Sequence, residues 1–94
     1  MNDFFKGKTV AVTGGSDGIG KALTGLLLAA GANVATCARN PEKLNALQKQ
    51  FSSFPLLCMS ADVSVYEDCE KFIRTATEKF GGIDILINLS LIHI

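Results

Sequence analysis

The stretch KTVAVTGGSDGIG, residues 8–20, runs from a β-rich segment through a glycine turn into the start of a helix. Lys8–Thr13 reads as a strand, because β-branched residues dominate it and Gly14-Gly15 ends it. From Ile19 onward the apolar positions Ile19, Ala22, Leu23, Leu26, Leu27 and Ala30 recur at helical spacing, until Gly31 stops the run. The glycines between strand and helix have separate tasks. Gly14 lets the strand turn sharply, Gly18 lets the backbone come close to a bound group, and Gly20 lets the helix pack tightly on the sheet. A helix that starts there presents its first N–H groups and the positive end of its dipole to an anion, naturally a pyrophosphate. Gly14, Ser16, Asp17, Gly18, Ile19 and Gly20 are therefore the candidate cradle.

Working outward, strand and helix patterns keep alternating. Asn33–Ala38 is a second short strand. Asn40 suits a helix N-cap with Pro41 at the first helical position, and Leu44, Leu47 and Phe51 form the stripe of that helix. Leu56–Ser60 is a third strand. Ser64-Val-Tyr-Glu67 has the form of a capping box, opening a helix whose stripe is Cys69, Phe72, Ile73, Ala76 and Phe80. Gly81-Gly82 ends it, and Ile83–Ile87 is a fourth strand. Near-continuously apolar strands separated by helices predict an α/β fold with a parallel sheet covered on both faces. Right-handed crossovers give a Rossmann-type, doubly wound sheet of strand order 3-2-1-4, truncated after the fourth strand. In that arrangement the first two helices share one face, the third is alone on the other, and strand four is an open edge.

Composition narrows the function. The 94 residues make one domain at most, with 48% hydrophobic and 19% charged residues. Nine Lys+Arg balance nine Asp+Glu, so no general attraction for nucleic acid or acidic lipid is expected. The three cysteines form no C-x-x-C pair, which fits neither a disulfide framework nor a metal site. Met1–Lys8 contains Asp3 and no long apolar run, so it does not read as a signal peptide. Residues 22–38 are uncharged but interrupted by Thr24, Gly25, Gly31 and Asn33, and do not read as a membrane span. The expectation is a cytoplasmic protein.

A rival motif overlaps the loop. Gly15-x-x-x-x-Gly20-Lys21 matches the first part of a P-loop, but Ala22 stands where Ser or Thr would hold magnesium, and strand four ends without an acid. The eight residues TGGSDGIG instead resemble the T-G-x-x-x-G-[IL]-G fingerprint of the short-chain dehydrogenase/reductases. Two further motifs agree in order and spacing: Asp62-Val63 after the third strand, and Asp84-Ile-Leu-Ile-Asn88, which looks like the strand leading into that family's Asn-Asn-Ala-Gly. The resemblance covers residues 6–88. It implies an oxidoreductase that transfers hydride between a nicotinamide and a carbonyl or alcohol substrate, homo-oligomeric at full length. It also implies that Asp62 faces the adenine and that Asp62, Val63 and Asn88 belong to the cofactor site.

Cofactor choice is read at the end of the second strand. An acid there would hold the ribose hydroxyls of NAD. This chain has Ala38 followed by Arg39, and an arginine suits the 2′-phosphate of NADP. NADP is therefore the expected cofactor and NAD the alternative, with Asp17 counting against NADP because some NADP-using relatives carry a basic residue at that place.

The resemblance implies a catalytic tyrosine with a lysine four residues later. Tyr66 is the only tyrosine, and Glu70 stands four residues on, so Tyr66 reads as a surface residue and no catalytic residue is assigned. Residues 1–88 read as the N-terminal part of a cofactor-binding domain, inactive by itself. After Asn88 the sequence LSLIHI departs from the family pattern and equals the translation of CTG TCT CTT ATA CAC ATC, a sequencing-library adapter. Residues 89–94 are accordingly expected to be a non-native read-through tail, which gives His93 no role. Two alternatives stay open: a non-catalytic dinucleotide-binding module complete as it stands, and a P-loop nucleotide-binding fragment.

Overall fold

The structure is a computed structural model, described here for residues 3–14 and 16–89. The elements run β1 (Thr9–Thr13), α1 (Gly18–Ala29), β2 (Asn33–Ala38), α2 (Pro41–Gln50), β3 (Leu56–Ser60), α3 (Tyr66–Phe80) and β4 (Ile85–Asn88). All three pairings are parallel and the strand order is β3-β2-β1-β4. Val10 lies level with Val34 on one side and Ile85 on the other, and Val34 level with Leu56. The doubly wound α/β sheet expected from the alternation is the fold observed.

Because side chains alternate across a strand, the sheet has two distinct faces. Val10, Val12, Val34 and Leu56 point to the face where α1 and α2 bring Leu27, Leu28 and Leu47. Ala11, Ala35 and Cys37 point to the other, where α3 lays Phe72 and Ala76. Each fully buried Leu or Phe contributes about 1.5–3 kcal/mol relative to exposure. Across the sheet, the hydroxyl of fully buried Thr36 donates to the carbonyl of Val12 at 2.7 Å, so that polar group is satisfied inside the core.

Asn40 caps α2 as its position suggested: its Oδ1 accepts from the amides of Glu42 at 2.9 Å and Lys43 at 3.3 Å, with Pro41 opening the helix. Three other expectations are corrected. The inward stripe of α1 is Gly20, Thr24, Leu27 and Leu28, whereas Ile19 is 79% and Leu26 64% exposed. That helix is apolar nearly all round, so periodicity alone does not select a face. The sheet takes the side where small Gly20 and Thr24 permit close approach.

The capping box at Ser64 and Glu67 does not form. Asp62 Oδ1 takes both the amide of Ser64, at 2.9 Å, and its hydroxyl, at 2.6 Å. The carboxylate two residues upstream makes an Asx turn that captures the would-be cap. α3 therefore starts after Val65 with no side-chain cap, and the Asp68 carboxylate in its first turn accepts instead from the amide of Asp62 at 2.9 Å.

Strand β4 begins at Ile85 rather than Ile83. Asp84 is spent on Thr9, giving its amide to the Thr9 carbonyl at 2.9 Å and accepting the Thr9 amide on Oδ2 at 2.8 Å.

Candidate functional site

With every strand parallel, Thr13, Ala38, Ser60 and Asn88 all end at one edge of the sheet. The connections from β1 and from β3 depart to opposite faces, so this edge holds the crevice at a switch point where open α/β sheets bind ligands. Thr13 Oγ1 donates to Asn88 Oδ1 at 2.6 Å, and the amide of Leu89 donates to the Thr13 carbonyl at 3.0 Å. These two bonds fix the floor of the crevice.

The glycine loop rises beside it. Gly14 leaves β1 with φ +81 and gives its amide to the carbonyl of Cys37 at 2.9 Å, tying the loop to the end of β2. Gly18 opens α1 with φ +49, a conformation that L side chains rarely adopt. Among the described residues, a Cβ added to Gly18 would meet nothing within 4 Å, so it is the backbone conformation and not crowding that favours glycine here. The first-turn amides of an α-helix have no carbonyl of their own helix to bond and carry the positive dipole end. A helix end of this kind suits an anion such as a pyrophosphate.

Asp17 is the N-cap of α1 and accepts the Gly18 amide at 3.0 Å. Its other oxygen receives Lys43 Nζ, from the first turn of α2, at 2.6 Å. The Lys43 hydrogen bond and charge hold the Asp17 carboxyl below its ordinary value of 3.8. Asp62, half-buried after β3, is held below 3.8 first by the hydroxyl and then by the amide of Ser64, with the Arg39 charge adding to them.

Between the crevice floor and α3 lies a cavity of about 370 Å³, lined on its polar side by Thr13, Ser64 and Asn88 and on its apolar side by Cys37, Val63, Phe72 and Leu86. Burial pushes the Cys37 thiol up to about 11. It stays a neutral, apolar wall at physiological pH.

The residues named from the sequence for the cofactor site lie on the elements and connections that meet at this edge. Gly14, Ser16, Asp17, Gly18, Ile19 and Gly20 lie on the β1–α1 connection, Arg39 directly follows β2, Asp62 and Val63 follow β3, and Asn88 ends β4. Gly20 is buried against the sheet, Ser16 is nearly buried, and Ile19 stands exposed at the mouth. Gly15 of the P-loop alternative and Ser90–Ile94 of the expected tail, His93 included, lie outside the described residues. Tyr66 is 74% exposed on α3, as a surface residue should be.

Two participants were not read from the sequence. Thr13 enters the sequence reading as the strand end that opens the TGGSDGIG fingerprint, without a role of its own, and no pattern in the sequence singles out Lys43. Lys43 lies 26 positions from Asp17, and only the packing of α2 beside the loop brings them together. Among the described residues no group of three or more His, Cys, Asp or Glu is placed to hold a metal ion, and no helix is long and apolar enough to cross a membrane.

A parallel α/β sheet with a glycine loop opening its first helix at the switch point defines the Rossmann-type class. Within that class, residues 8–90 match the family model described as short chain dehydrogenase, and the chain belongs to that family. An uncharacterized oxidoreductase of Staphylococcus aureus (strain USA300) is 40% identical over 81 residues, covering 86% of this chain and 35% of its own length.

Two solved structures are similar throughout. A short chain dehydrogenase from Bacillus anthracis superposes with a TM-score of 0.85 at 40% identity, over 92% of this chain and 36% of that one. An NADPH-bound short chain oxidoreductase from Pseudomonas aeruginosa PAO1, described as containing an atypical catalytic center, gives 0.77 at 38% identity, over 84% and 32%. The chain spans about a third of the length of the relatives it matches.

Proposed function

We propose that this chain is the cofactor-binding part of an NADP(H)-dependent oxidoreductase acting on a carbonyl or alcohol substrate, with residues 1–88 forming the N-terminal part of its dinucleotide-binding domain. One observation carries the reading: Gly14 and Gly18, both at positive φ, turn β1 into the N-terminus of α1 beside Asn88 and Asp62. In this reading the first-turn amides of α1 hold the pyrophosphate, with Ser16 beside them. Asp62 and Val63 meet the adenine, Asn88 meets the adjacent ribose region, and Arg39 pairs with a 2′-phosphate. A nicotinamide supplies hydride chemistry when bound.

What this chain's residues do is orient and exclude. The Thr13–Asn88 bond sets the distance between the loop and β4, and the Asx turn at Asp62 and Ser64 fixes the adenine wall. The chain has no Tyr-x-x-x-Lys, so proton transfer belongs to residues it does not contain, and the 94 residues by themselves are inactive. Homo-oligomerisation and a cytoplasmic setting belong to the same reading, as does a non-native origin for residues 89–94.

The test is the genomic reading frame through codon 88, followed by an assay of its full product. The expected frame continues Asn-Ala-Gly and later supplies Tyr-x-x-x-Lys, and the product oxidises NADPH in the presence of a small ketone or aldehyde. A genuine stop codon after Ile94 overturns the oxidoreductase reading and favours a binding module.

A further inference from the structure

A second, smaller cavity of about 180 Å³ lies between the glycine loop and α2, lined by Ser16, Asp17, Lys21, Lys43, Ala46 and Leu47. Its charged groups are one carboxylate and two ammonium ions. Lys43 Nζ stands 2.6 Å from Asp17 Oδ2, and Lys21 adds its charge to the same carboxylate. Arg39, the basic residue that the sequence offered for a 2′-phosphate, makes no ion pair with Asp17 and bears on Asp62 only by its charge. The cation bonded to the loop's own acid is therefore Lys43, supplied by a different helix.

We infer that Lys43 is a second specificity-determining residue for a phosphate monoester on the adenosine ribose, and that Asp17 is its resident counter-ion, which that phosphate displaces. The inference rests on the cofactor reading above. It also removes the objection that Asp17 raised, because the carboxylate does not face the site bare.

Three observations favour exchange over a permanent pair. Both side chains are exposed, Lys43 by 50% and Asp17 by 71%, and exposed ion pairs are weak and easily screened. Asp17 keeps a second bond, to the Gly18 amide, so it remains held as the cap of α1 when Lys43 leaves. A phosphate monoester brings close to two negative charges and three acceptor oxygens, which outcompetes one carboxylate for an ammonium group. Lys21, on the wall of the same cavity, adds a second cation.

The test compares two nucleotides that differ only in the group at issue, 2′,5′-ADP and 5′-AMP, titrated calorimetrically into the 94-residue chain. Lys43→Gln should weaken 2′,5′-ADP about tenfold while changing 5′-AMP less than about twofold. Lys43→Arg should restore most of the loss. Asp17→Asn should tighten 2′,5′-ADP by roughly two- to fivefold more than it tightens 5′-AMP. Equal losses for both nucleotides in Lys43→Gln, or no loss for either, overturn the role of Lys43 alone. Absence of binding of either nucleotide to the unmodified chain overturns the cofactor reading, and this inference with it.

Discussion

On one face of the sheet, α1 and α2 press Leu27, Leu28 and Leu47 onto Val10, Val12, Val34 and Leu56, large side chain against large. On the other, α3 buries one large residue fully, Phe72, among Ala11, Ala35, Cys37, Ala61 and Ala76, with Leu57, Met59, Phe80 and Ile83 only partly buried around them. Small residues there let α3 sit close to β2, but they leave the ground beyond it uncovered: Leu86 is 58% exposed, and Ile73 is exposed as well. The cavity of the candidate site opens on this second side. The first face is finished by burial. The second combines one anchor with open space, which is the arrangement a ligand crevice needs and a stable core avoids.

The largest expected effects separate the faces directly. Phe72→Ala should destabilise by about 3–5 kcal/mol and Leu28→Ala by about 2–5 kcal/mol, both read by urea unfolding. The informative difference lies in hydrogen exchange. Phe72→Ala should release the α3 amides well before those of α1, because Phe72 is the one large side chain that α3 buries fully, whereas Leu28→Ala should lower protection throughout. Equal exchange patterns in the two variants would abolish the distinction.

A smaller effect tests the side that is closed. Asn40→Ala removes the cap of α2 and should cost about 1 kcal/mol, accompanied by fraying of its first turn in NMR. Because that turn carries Lys43, the same variant should also loosen the contact with Asp17.

On the open side, Leu86→Ser should change stability by no more than about 0.5 kcal/mol and should make the chain more monodisperse in light scattering. A loss comparable to Leu28→Ala would mean that this surface is covered after all.

The subtlest test is titration. Asp17 and Asp62 both have folded values below 3.8, so whatever stability they confer is present above the ordinary carboxylate range and is lost as pH falls through the lowered folded values. Asp17 owes its displacement chiefly to Lys43, an exposed ion pair, and Asp62 chiefly to hydrogen bonds from Ser64. Raising the salt should move the Asp17 titration, followed by carboxyl NMR, back toward 3.8 and leave Asp62 nearly where it is.

The legible and illegible parts of the sequence divide along physical lines. β2 and β3 were read to the residue, since β-rich runs between strong punctuation leave little choice. The glycine spacing was legible because it encodes backbone conformations, and Gly14 and Gly18 adopt positive φ. The inward face of α1 was not legible, because Ile19, Leu23, Leu26, Leu27 and Leu28 surround the helix and only the sheet chooses among them.

The Ser64 capping box failed because the Asx turn at Asp62 holds both the amide and the hydroxyl of Ser64, and the helix starts one residue later, after Val65. Lys43 was invisible for a different reason: its partner is remote in sequence, and no local pattern marks a lysine that crosses to another element.

The two clamps on β4 have a consequence for the order of assembly. Asp84 grips Thr9 and Asn88 grips Thr13, each across 75 positions, whereas Asn33 and Thr36 reach β1 across 24. Closing the longer loop costs about 1 kcal/mol more in chain entropy than closing the shorter. During synthesis, β1, α1 and β2 are therefore free to join while β4 is still unmade. The central strand must keep one flank unpaired until the last element arrives to latch it at both ends.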